Sequence, residues 1–154
     1  MEVSSVGRKE AREIALHLVF ELSFKEFSDD ELLADRLEKS VMDSLAGDIA
    51  LYAGELEEEQ KMYIRNTVMG VCTHYAELDE EIAKHSTNWS TKRLSHMTMS
   101  VLRLALYEMK YADDVPTGAA IDEAVELAKK YESSETSKFI NGVLGAAARE
   151  DAAE

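Results

Sequence analysis

Arg8, Lys9 and Arg12 place three cations within five residues, and Phe20 follows two helical turns after the last of them. With helical residues about 100° apart, Lys9, Arg12, Leu16 and Phe20 gather on one flank, away from a stripe of Ala11, Ala15, Leu18 and Leu22. Cations that track phosphates beside an aromatic ring that stacks on an unpaired base make a surface for single-stranded RNA. The plain alternative is that Leu16 and Phe20 pack against a second helix while the cations are only solvated. Phe139 poses the same choice. It lies at the shoulder of an Ile140, Val143, Leu144 stripe, beside Lys138 and close to a helix start whose free N–H groups favour phosphate, so it can stack on a base or serve as peripheral core.

Catalytic constellations are absent. His17, His74, His85 and His96 are scattered, and none stands four residues from another histidine or from the lone cysteine, as a helix-borne metal site of that kind requires. Cys72 and His74, two apart, point to different sides of a helix, and Cys72 falls on an apolar stripe as a small core residue. There is no glycine-rich phosphate loop or serine elbow. The glutamate runs read as solvated faces, with no apolar pocket to separate two carboxylate pKa values. The expectation is a protein that is not an enzyme and has neither cofactor nor metal. Arg103, a charge set among the apolar residues of its helix, must either reach solvent at a seam or pair with a carboxylate. Glu123 or Glu126 on the next helix is the expected one, because short connections make consecutive helices antiparallel neighbours.

These residues must be positioned by helices. One proline and seven glycines in 154 residues leave little turn material, and 45% hydrophobic with 31% charged residues is an ordinary globular balance, so the expected class is all-α. A first helix runs from about Arg8 to Phe24. Ser28-Asp29-Asp30-Glu31 is a capping box for a second, to about Leu45, with Leu33, Leu37, Val41 and Leu45 inward and Gly47 as its stop. A third carries Ile64, Val68, Val71, Cys72 and Tyr75, continues towards Ile82, and breaks between His85 and Asn88. From Trp89, Met97, Met99, Val101, Leu102, Leu104, Ala105, Leu106 and Met109 cover the full circumference of a central helix. Asp113 to Pro116 ends it and starts the next. The last two stripes are Ile121, Ala124, Val125, Ala128 and Ile140, Val143, Leu144, Ala147. No repeat or linker divides the chain, so residues 1–154 read as one domain with residues 1–7 and 149–154 fraying.

The net charge of −14 argues against nucleic acid if taken as a whole, since phosphate affinity comes from lysine and arginine releasing counterions. Its distribution matters more. Acid concentrates in Asp29 to Glu31, Glu55 to Glu59 and Asp79 to Glu81, leaving a local basic patch at the chain start, while the acidic body suits a basic protein partner. A single cysteine, no apolar run after a basic start and no window of ~20 apolar residues predict a cytoplasmic protein with no membrane association.

Asn88-Trp89, Val101-Leu102-Arg103-Leu104-Ala105-Leu106-Tyr107-Glu108, Ile121 to Tyr131, and Lys138-Phe139-Ile140-Asn141-Gly142-Val143-Leu144 occur in the order seen in the NusB family of bacterial transcription antitermination proteins, which this chain resembles from about Arg8 to Ala147. The resemblance implies about seven helices arranged as two three-helix subdomains with a further helix. It also implies binding to the boxA element of ribosomal RNA leader transcripts together with NusE, a small-subunit ribosomal protein, in an antitermination complex on RNA polymerase. By the same similarity, Arg8 to Glu13 matches an N-terminal arginine-rich motif, Phe20 falls where a tyrosine is common, and Glu135 with Lys138 and Phe139 matches an RNA-contacting helix start. Glu10 interrupts the basic run, and Glu135 stands where an aspartate can occur. The same helical fold also opens ribosomal RNA cytosine methyltransferases, which continue into a cofactor-binding catalytic domain; the length here leads us to expect no such domain. The competing expectation is a helical adaptor whose acidic surface docks a basic protein without touching RNA.

Overall fold

Ile14, Leu16, Leu18 and Val19 join Ala11, Ala15 and Leu22 in the interior of the first helix, α1 (Arg8–Leu22). Buried positions therefore cover more than half of its circumference, a wider face than the four-residue stripe. The computed structural model describes residues 7–24, 57–86 and 93–153. Among them are four further helices: α2 (Glu58–His85), α3 (His96–Tyr111), α4 (Thr117–Tyr131) and α5 (Ser134–Ala153). The described residues contain no strand and five helices, where about seven were expected. The capping box at Ser28 to Glu31, the helix expected from there to Leu45, and Trp89 lie outside the described residues.

The chain divides into two compact units, Met1–Thr73 and His74–Glu154. In the first, α1 ends on Ser23, whose backbone N–H and hydroxyl both reach the Phe20 carbonyl. The first half of α2 buries Tyr63, Ile64, Val68, Val71 and Cys72. Its ends suit the helix dipole, with Glu58 and Glu59 in the first turn and Lys84 and His85 in the last.

In the second unit, α3, α4 and α5 pack against one another. Ser95 starts α3 by accepting the Thr98 N–H at 3.0 Å, the arrangement that satisfies an orphan donor of the first turn. Val101, Leu102, Leu104, Ala105 and Leu106 are all buried, as the all-round apolar pattern predicts; Met97 and Met109 are half-buried. Pro116 caps α4. That helix buries Ala120, Ala124, Leu127 and Ala128, leaving Ile121 and Val125 half-buried. Its inner face is thus turned by about 60° from the expected stripe, because a row of alanines four apart lets neighbouring helices approach closely. Ile140, Val143, Leu144 and Ala147 of α5 are buried. The helix continues past Arg149 to Ala153, and Glu150 is tied by ion pairs to Lys84 and His85 of α2.

Candidate nucleic-acid interface

Tyr63 organises the basic start of α1. The Arg8 guanidinium lies 4.1 Å from the centre of its ring and that of Arg12 lies 5.7 Å away, distances at which a cation is attracted by the ring face. Arg8 also donates from Nε to Gln60 Oε1 at 3.0 Å and lies 3.7 Å from Glu59 Oε1. The two arginines converge, but they differ in exposure: Arg8 is half-buried and Arg12 only 7% exposed. Lys9 is exposed. The flank read from the helical wheel is interrupted, since Leu16, between Arg12 and Phe20, is fully buried and belongs to the core. What the flank offers to solvent is Lys9, part of Arg8, and half-buried Phe20. Phe24 extends this surface: its ring meets Phe20 edge-on at 5.1 Å and is 62% exposed.

In the second unit, Ser133 opens α5, its hydroxyl oxygen accepting the Thr136 N–H at 3.1 Å. This first turn faces the capped start of α3 across a groove of about 220 Å³, lined by Arg93, Leu94, Ser95, Thr98, Glu132, Glu135, Thr136 and Phe139. Ser95 donates to the Glu132 carboxylate and so links the end of α4 to the start of α3. Glu135 and Phe139 thus share one cleft, whereas Lys138 is exposed and outside its lining. Two helix N-termini supply partial positive charge there, Arg93 supplies a full one, and Glu132 and Glu135 oppose both. Arg93 was not singled out from the sequence; the signal was the Lys92-Arg93 pair directly before a Ser-capped helix.

Arg103 has a structural setting, on a different helix from the one expected. Its Nε and a terminal nitrogen hold the two oxygens of Asp79 at 2.7 and 2.9 Å. The fork is filled from α2, the helix before, and not from Glu123 or Glu126 on α4. The acidic run Asp79-Glu80-Glu81 therefore does more than face water: Asp79 is two-thirds buried and Glu81 more so. No buried side-chain polar atom among the described residues lacks a hydrogen-bond partner. No helix among them is long and apolar enough to cross a membrane.

Residues 9–149 match the NusB family. A transcription antitermination protein NusB of Acetivibrio thermocellus is 39% identical over 140 residues, covering 91% of this chain and 87% of that protein. Among solved structures, NusB of T. maritima superimposes with a TM-score of 0.78 at 28% identity, over 96% of this chain and 94% of the other. A chain from a crystal structure of the antitermination factors NusB and NusE in complex with double-stranded RNA gives a TM-score of 0.69 at 26% identity, over 90% and 93%. Sequence and helical fold agree over nearly the whole length, and the chain belongs to the NusB family.

Proposed function

We propose that this chain is a nonenzymatic transcription antitermination factor. It binds boxA-type single-stranded RNA of ribosomal RNA leader transcripts together with NusE, and it joins the antitermination complex with RNA polymerase in the cytoplasm. The whole chain is then one NusB-like, all-helical domain. The observation that carries the reading is a related chain of the same fold, solved with NusE and RNA. The local geometry is compatible with the following division of roles. Lys9 and the exposed part of Arg8 hold phosphates, while Arg12, held near Tyr63, supports the start of α1 and its field. Phe20 and Phe139 offer ring faces, Lys138 assists at the start of α5, and Glu135 accepts from base amino groups. Arg103 with Asp79 keeps the helices in place, and Glu123 and Glu126 are structural.

The RNA in that related complex is a duplex, in which base faces are covered by stacking. Rings at the surface, Phe20, Phe24 and Phe139, favour an unpaired strand instead. A titration of labelled single-stranded boxA-type RNA over a range of salt concentrations tests the site. For single strands each phosphate contact contributes about 0.7 to the slope of log affinity against log salt. Arg8→Ala with Lys9→Ala should therefore flatten the slope by up to about 1.4 and weaken boxA and unrelated RNA alike. An unchanged slope with unchanged helicity rejects the α1 site and favours the adaptor that binds only protein.

A further inference from the structure

Three side chains with no place in the RNA reading meet where the end of α2 comes against the end of α5. Glu81 and His85 are one helical turn apart on α2, and Glu150 faces them from α5. His85 Nε2 lies 2.9 Å from Glu150 Oε2 and 3.3 Å from Glu81 Oε1. The candidate ligand atoms of all three residues are within 4.8 Å of one another. The side chains are sheltered, 11% exposed for His85, 16% for Glu81 and 31% for Glu150.

We propose that Glu81, His85 and Glu150 bind a divalent first-row transition-metal ion, Zn²⁺ in particular, through one imidazole nitrogen and one oxygen of each carboxylate. The carboxylates already divide their oxygens in the way such a site requires. Glu150 pairs with Lys84 through Oε1, and Glu81 approaches Lys110 through Oε2 at 3.9 Å; in each, the other oxygen is the one turned to His85. The lysines thus act on the outer oxygens and fix the orientation of the ligands, as outer-shell partners do at metal sites. Zinc bonds of about 2.0–2.1 Å to nitrogen and oxygen set tetrahedral ligand atoms about 3.3 Å apart. The Glu81–His85 spacing has that value, and the His85–Glu150 spacing must lengthen by only ~0.4 Å. A donor set of one imidazole and two carboxylates without thiolate suits Zn²⁺ or Co²⁺ and not Cu⁺. Three protein ligands leave the fourth position to water. The bound ion would staple the last turns of α5 to α2. The inference is independent of the RNA reading.

Calorimetric titration of the untagged, chelator-stripped full chain with Zn²⁺, paired with Co²⁺ as an absorbing probe, tests it. The expected result is one equivalent bound, a visible spectrum of four-coordinate Co²⁺, and a melting temperature that rises with Zn²⁺ concentration. His85→Gln and Glu150→Gln should each weaken binding by about tenfold or more, while His17→Gln and His96→Gln leave it unchanged. Glu81→Gln gives a third ligand variant should His85→Gln fail to fold. Absence of a one-to-one complex, or equal loss in His96→Gln, would mean scattered surface binding and would overturn the site.

Discussion

Asp79 and Tyr63 are the residues that make three of the arginines intelligible. Arg103 lies on α3 with its side chain 12% exposed, and the bidentate pair with Asp79 supplies directional, charge-assisted bonds that water would otherwise give. Truncating Asp79 to alanine should cost about 1.5–3 kcal/mol, the range for hydrogen bonds to charged groups. The value stays below that of a fully buried pair because Asp79 is one-third exposed. Urea denaturation of Asp79→Ala checks it, and a parent-like midpoint would show that Arg103 is held by its other surroundings. That Arg103 must reach solvent or find a carboxylate was legible from its apolar neighbours; that Asp79 is the partner was not. An acid inside an Asp-Glu-Glu run has the local pattern of a solvated face, and only the packing of α2 on α3 selects it. In the same way, nothing in the spacing of Arg8 and Arg12 announces that both approach the ring of Tyr63.

Helices differ in how openly their faces are written. The interior residues of α3 and α5 are large and aliphatic, so periodicity alone locates them. On α4 the inner row is mostly alanine, and ranking by hydrophobicity turns attention to Ile121 and Val125 at its edge. The end of α5 illustrates the opposite problem. An alanine-rich, charged tail suggests fraying, yet Glu150 is held by Lys84 and His85 across to α2, a contact that no local pattern encodes. The hydrogen bond from Lys84, ahead of the weaker attractions of Lys84, His85 and Lys110, keeps the Glu150 carboxyl below its ordinary value of 4.5. The folded chain therefore prefers the ionised form more than the unfolded chain does. The resulting stabilisation is present above the ordinary value and is lost as pH falls through the folded one. Melting curves of the parent and Glu150→Gln, recorded in chelator, should be furthest apart near neutral pH and converge as the solution is acidified below about pH 4.5. A gap that stays constant into strong acid would mean that this carboxylate does not anchor the helix end.

At the scale of the molecule, charge sets the problem. A body of net charge −14 repels most of an RNA strand, and the exposed cations near the start of α1 are few. A basic protein docked on the acidic surface would cancel that field and lengthen the track of phosphate contacts. The legible part of this was the imbalance itself and the position of the basic start. The groove at Arg93, Glu135 and Phe139 was only half legible, because it is built from two helix starts far apart in the chain. If NusE cancels the field that opposes RNA, the binding of the two is coupled, and any such coupling is reciprocal. Calorimetry of NusE with this chain, alone and saturated with boxA-type RNA, measures it most directly. The account predicts that RNA tightens the protein–protein association, and by the same factor that NusE tightens RNA binding in the reverse titration; equal affinities with and without RNA would contradict it.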